Sequence, residues 1–200
     1  MSARIAYLDT VSTSAPVHGS PERWRAHAIR VAVALEEDRR IVGTLLRLVM
    51  PDRLVVIDPK WTARYGVNAV DANQASEEGE SPLIVAQNLS VMIAGAMIVC
   101  QNQAFHRDVL LGLFEDAGTD GPAVAGHYCI QSAARPIIDA RTVHGKPKAP
   151  NIWESFKFFT GDAVPVITTL GWRVAALLQL NAIRAVYWGI HRLGAPADPV

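Results

Sequence analysis

The stretch Ile98–Gly118, IVCQNQAFHRDVLLGLFEDAG, decides the fold. Its front end belongs to the apolar run Met97–Cys100, which predicts a buried strand. Its back end, Phe105–Glu115, reads as an amphipathic helix closed by Gly118. A strand that passes through Gln101-Asn102 straight into a helix is the repeating unit of an α/β domain.

Working outward, Ser81-Pro82 opens another helix, with Ser as N-cap and Pro in the first turn. Leu83, Val85, Ala86, Leu89, Met92 and Ile93 give it a buried face, and Gly95 ends it. Upstream, Arg4–Leu8 is a short buried strand followed by a polar loop, Asp9–Glu22. Ala26–Leu35 and Ile41–Met50 flank the charged turn Glu36–Arg40 and predict a hairpin. Pro51–Pro59 is a loop and Lys60–Gly66 a short helical piece closed by Gly66. Downstream lie a strand at Val124–Cys129, a short helix at Ala133–Ile138 and a Lys/Pro/Gly loop at His144–Pro150. Ile152–Phe159 is a helix stopped by Gly161, and Trp172–Leu193 is the longest helix, with apolar residues from Val174, Leu177 and Leu178 to Ile183, Val186, Tyr187 and Ile190. The order β-β-β-α-β-α-β-α-α predicts an α/β fold with a mixed five-stranded sheet: an antiparallel meander, then strands added through helical crossovers. One domain spans residues 1–194, and residues 195–200 form a loose tail.

Two hundred residues, half of them hydrophobic and 19% charged, exclude a disordered chain and suffice for one real core. Lys+Arg equals Asp+Glu at 19 each, so the chain lacks the basic excess typical of a duplex-binding protein. Cys100 and Cys129 read as buried small hydrophobes, and His127 as a core or edge histidine. No signal peptide is visible, and the longest apolar runs are broken by Gln87, Asn88, Ser90 and Gln179, so no membrane span is expected. The expected location is cytoplasmic. The Ala/Arg/Val-rich composition hints at a bacterial or phage source.

In this order, several segments carry a resemblance. IAYLDTVSTS, with Asp9, Val11, Ser12 and Thr13, stands where a strand would end in D-x-E-T-T. Tyr65-Gly66-Val67 stands at a residue-Gly-Ile triplet. Gln101, Asn102, Ala104, Phe105 and His106 follow the pattern H-N-x-x-F-D, and VAALLQLNAIRAVYWGI follows H-x-A-L-x-D. Over about residues 4–193 the chain resembles the DEDD-type 3′–5′ exonucleases of the ribonuclease H-like fold, the group of the proofreading subunits. The resemblance implies phosphodiester hydrolysis by two Mg²⁺ or Mn²⁺ ions held by four carboxylates, with a histidine as general base.

This chain departs from that pattern at most of the working positions. Asp9 is kept, while Val11 holds the glutamate position and His106 the second-motif aspartate. Val174 holds the histidine and Gln179 the last aspartate; sliding the register by two puts Asn181 there instead. Hard ions want oxygen ligands, so Asp9 and His106 form at best a poor metal site. Rescue needs Asp108, Glu154 or Asp162, and Asp108 is expected as a solvated surface residue.

The resemblance therefore implies a pseudo-exonuclease, kept to bind a single-stranded nucleic-acid end, a nucleotide or a protein partner. No cofactor is expected, with Mg²⁺ or Mn²⁺ entering only if the chain is active. Ser12, Thr13, Trp24, Asn102, Phe105 and Trp172 are the candidate cleft residues, the two tryptophans as stacking surfaces, whereas Trp153 and Trp188 are expected in the core. Two alternatives stay open: an active 3′–5′ exonuclease with a rearranged site, and a structural or assembly subunit, homodimers included, that uses the fold as a rigid body.

Overall fold

The computed structural model of the chain describes residues 3–13, 27–51, 69–166 and 170–194. Aliphatic, β-branched segments at the N-terminal end make an antiparallel meander: β1 (Ile5–Ser12), β2 (Ala28–Glu37) and β3 (Arg40–Leu48). Asp38 and Arg39, at φ of 49° and 64°, form the left-handed pair that matches a two-residue hairpin to the twist of its strands. β4 (Met97–Cys100) pairs parallel to β1, and β5 (Gly126–Cys129) parallel to β4. The mixed five-stranded sheet thus has the order β3-β2-β1-β4-β5.

Six helices are described: α1 (Ala69–Glu78), α2 (Pro82–Ile93), α3 (Gln103–Asp116), α4 (Ile130–Ala134), α5 (Ile152–Thr160) and α6 (Trp172–Arg192). Side chains alternate across a strand, and β1 shows what that does here. Ala6 and Leu8 join the core made with α2 and α3, while Ile5 and Tyr7 join the core made with α4, α5 and α6. The sheet is a middle layer between two helical ones. Gly189 lets α5 approach α6 closely, since a Cβ there would lie 2.7 Å from Phe159.

α6 is fastened to the sheet by a buried carboxylate. Glu36, 1% exposed, accepts hydrogen bonds from Tyr7 Oη at 3.1 Å and Trp188 Nε1 at 3.0 Å, and it pairs with Arg184 Nε. Arg184 Nη2 also donates to the carbonyl of Arg39 at 2.9 Å, and the Arg39 guanidinium lies 4.4 Å from the centre of the Trp188 ring. The hairpin tip and the last helix are one electrostatic unit.

Several expectations need correction. β1 does not stop at Leu8: Asp9–Ser12 continue it, because β2 is long enough to pair with Asp9, Thr10, Val11 and Ser12 and because Thr10 and Val11 suit a strand. α1 carries no strong apolar stripe and falls where a linker and unassigned chain were expected. The helix expected at Ala133–Ile138 lies earlier, directly after β5, and β5 starts at Gly126 rather than Val124. Leu83 is exposed rather than buried, and among the apolar residues of α6 Val174 and Leu177 are exposed. Trp153 and Trp188 do pack against the core, and α2 has its Ser81 cap, whose Oγ accepts from the Ile84 amide at 3.4 Å. The expected helical piece Lys60–Gly66, Tyr65-Gly66-Val67, Trp24 and the tail lie outside the described residues. No helix among the described residues is long and apolar enough to cross a membrane.

Candidate functional site

β1, β4 and β5 run parallel, so their C-terminal ends gather at one edge of the sheet, the location where α/β sheets present binding residues. Asp9 to Ser12, Gln101 and Asn102 come together there with the start of α3. Asn102 is the N-cap of α3, its Oδ1 accepting from the Phe105 amide at 3.4 Å. That cap sets the direction of the first turn and brings Phe105 and His106 toward β1.

Asp9 is buried and not free. Its Oδ2 accepts a hydrogen bond from Arg30 Nη2 at 3.0 Å, with the two side chains 9% and 17% exposed. Arg30 comes from β2, where it is the strand partner of Val11. The guanidinium therefore crosses diagonally from beside residue 11 to residue 9. Arg30 Nε is buried without a hydrogen-bond partner. Sequence reasoning missed Arg30; its only signal was a charged residue inside an otherwise apolar strand.

Val11 packs in a small apolar cluster with Phe105, Trp172, Ile29, Leu48 and Ala75. It also lines a shallow cleft with Ile29, Arg30, Leu48 and Trp172. A second shallow hollow adjoins it at Leu48 and Trp172 and is lined further by Leu46, Arg47, Glu78, Glu80 and Arg173. Arg47 is paired with Glu80 at 2.8 Å, and the Arg173 guanidinium stacks 4.6 Å from the Trp172 ring centre. The indole Nε1 of Trp172 is buried and unpartnered. Of the expected cleft residues, Phe105 and Trp172 thus pack against the same small cluster as Val11, and Trp172 lines the cleft.

His106 turns elsewhere. It is 5% exposed, and its Nδ1 lies 2.8 Å from Thr10 Oγ1. Burial holds its pKa below the ordinary value because a cation there loses its water, with the Asp9 charge a weaker opposing effect. Imidazole in this setting is a neutral hydrogen-bonding partner of a threonine. Ser12 and Thr13 are buried too, and Thr13 is spent on strand pairing: its amide donates to the His27 carbonyl at 3.0 Å, and its Oγ1 accepts from the His27 amide at 3.1 Å.

The third-motif positions differ in burial along α6. Val174 and Asn181 are exposed and Gln179 is half-buried, whereas Ala176, Leu180, Ile183, Tyr187 and Ile190 make the buried face of α6. Asp108 corrects an expectation: it is 7% exposed rather than solvated, with Arg107 Nε 3.4 Å from its Oδ1. Glu154 is occupied by Lys148, at 2.6 Å, and by its capping box with Asn151. Asp162 is exposed beyond the end of α5. Among the described residues no three His, Cys, Asp or Glu side chains gather to hold a metal ion. With Asp9 engaged by a guanidinium, Val11 apolar and His106 on Thr10, the described donors do not fit a pair of divalent ions.

The backbone arrangement has counterparts among solved structures. The fold is that of the ribonuclease H-like exonucleases. Exonuclease I of E. coli in complex with a dT13 oligonucleotide superposes with a TM-score of 0.64 at 13% identity, covering 96% of this chain and 42% of that one. A 3′-exonuclease described as recognising the 3′ end of histone mRNA stem-loop superposes at 0.63 with 12% identity, covering 99% of this chain and 84% of that one. Exonuclease X in complex with 5′ overhanging duplex DNA gives 0.59 at 16% identity, covering 98% and 96%. The chain spans less than half of the exonuclease I chains it matches. No family model matches the sequence, and no curated protein matches it either. At these identities the likeness shows the fold and leaves the chemistry to the residues.

Proposed function

We propose that this chain is a catalytically degenerate exonuclease-like protein that uses the cleft between the β1-β2-β3 meander and the start of α6 to hold the end of a single nucleic-acid strand. One observation carries the reading: Asp9, the carboxylate that remains of the expected metal-binding set, is buried against the Arg30 guanidinium. A carboxylate neutralised in that way offers little to Mg²⁺ or Mn²⁺, and Val11 beside it offers nothing. The fold supports a strand-end ligand, since matched exonucleases are seen with oligonucleotides and RNA. Trp172 and the stacked Arg173, both in the cleft lining, supply the aromatic and cationic contacts that a single strand uses.

The test is incubation of 5′-labelled single-stranded DNA and RNA with Mg²⁺ or Mn²⁺, with binding followed by fluorescence anisotropy. Salt-sensitive binding without trimming from the 3′ end is the expected result. Trimming that disappears in Asp9→Ala would establish an active, rearranged site and overturn the reading.

A second reading, an assembly subunit, is favoured by the exposed apolar side chains of Leu170, Val174 and Leu177 at the start of α6. Light scattering that shows an oligomer, together with no nucleic-acid affinity at low salt, would favour it over the first.

A further inference from the structure

In a site built for divalent ions, two carboxylates one residue apart on β1 would repel one another until a cation lay between them. This chain removes one with Val11 and places Arg30, the strand partner of that same residue, against the other. The guanidinium is held at 3.0 Å from Asp9 Oδ2 and is largely shielded from solvent. Its Nε remains without a partner beside the apolar side chain of residue 11. The local charge is thus balanced inside the protein, and Arg30 lines the cleft together with Val11.

We infer that Arg30 is the resident cation of this site: it takes the place of a divalent ion, so that a strand end in the cleft meets a guanidinium on a phosphate oxygen rather than a metal. This rests on the binding reading above and names its chemistry, a phosphodiester or terminal phosphate held without metal. Guanidinium suits that role because its planar donors match phosphate oxygens and its charge does not titrate away. Asp9 then competes with phosphate for Arg30. Loss of Arg30 therefore weakens binding and loss of the Asp9 charge tightens it, whereas metal-mediated binding, in which Asp9 helps to hold the ion, gives the reverse sign for Asp9.

Binding is read with a 5′-fluorescein dT13 oligonucleotide in EDTA and in millimolar Mn²⁺. Wild-type affinity should be the same in both. Arg30→Gln should weaken binding about tenfold, and Asp9→Asn should tighten it several-fold. EDTA-abolished binding, or weaker binding by Asp9→Asn, overturns the inference while leaving the strand-binding reading intact. Absence of any dT13 binding by the wild type overturns that reading instead, and thermal melting decides the cation question independently.

In the melting experiment, Val11→Glu restores the second acid with Arg30 present, and the double variant Val11→Glu/Arg30→Gln restores it with Arg30 gone. The double variant should gain a Mn²⁺-dependent rise in Tm, and Val11→Glu alone should show the same Tm in Mn²⁺ and EDTA. A Mn²⁺ response in both variants, in neither, or in the wild type means that Arg30 is not what stands in the metal's place.

Discussion

Arg184→Met breaks the buried pair that fastens α6 to the sheet, and its cost follows from what is left behind. Glu36 stays buried, retaining only the neutral donors Tyr7 Oη and Trp188 Nε1, and the Arg39 carbonyl loses its donor as well. Removing one partner of a buried ion pair costs about 3–5 kcal/mol. Arg184 is itself 34% exposed, which places this pair at the lower end, about 3 kcal/mol. For a chain of this size that is a fall in Tm of about 6–12 °C. Glu36→Gln keeps an oxygen for Tyr7 and Trp188 and loses the charge, at a cost of about 1–2 kcal/mol. In the double variant no uncompensated charge is buried, so it should be more stable than Arg184→Met alone. Urea unfolding of the two single variants, the double variant and the wild type completes a double-mutant cycle. Costs that simply add, or an Arg184→Met variant within about 1 kcal/mol of the wild type, would refute the assignment of Glu36 as a charge that needs Arg184.

Other outcomes follow from single sites. Gly189→Ala puts a methyl group 2.7 Å from Phe159 and should destabilise by about 1–3 kcal/mol in chemical denaturation; a neutral result would mean that α5 can slide on α6. The pKa of buried His106 lies below its ordinary 6.5, so the unfolded chain takes up a proton first. Its contribution is complete above 6.5 and is lost as pH falls through the interval below, by at most about 1.4 kcal/mol per pH unit. His127 and His191 are shifted the same way by burial, so His106→Gln should make the acid limb of a stability–pH curve shallower without flattening it. Burial pushes the Cys100 thiol well up, whereas Cys129 is half-buried beside Ser132. A thiol reagent should modify Cys129 in the native protein and reach Cys100 only at the rate of unfolding; equal rates would contradict the packing of β4.

The sheet and its helices were legible where one physical signal dominated. The apolar run at Met97–Cys100, the Ser81-Pro82 start of α2 and the Gly161 stop of α5 each state a local preference that packing did not overrule. β1 was cut short because Asp9, Thr10 and Ser12 read as polar loop, while in the fold they are buried and paired with β2. Polarity signals exposure only when no partner strand is available, and a partner 16 to 23 residues away in sequence is not a local property. α1 was missed for the opposite reason: its residues form a helix with little apolar content of their own.

The site was half legible. The identities at Asp9, Val11 and His106 marked where the chain departs from the expected pattern, and the fold packs Phe105 and Trp172 against the same small cluster as Val11. Nothing in the residue pattern announced that Arg30 would cross from β2 to Asp9, because cross-strand partners depend on register rather than on spacing along the chain. Asp108 was misread from helix phase alone, its burial being set by what packs beside α3.

The link between Glu36 and Arg184 also orders events in time. The two residues are 148 positions apart, so a ribosome adding about 5–20 residues per second spends roughly 7–30 s between them. Through that interval the meander β1-β2-β3 can exist as a nascent hairpin assembly, yet Glu36 has neither Arg184 nor Trp188 to receive its charge. The meander must stay wet at that end until α6 emerges, so the burial of this carboxylate waits on the synthesis of α6.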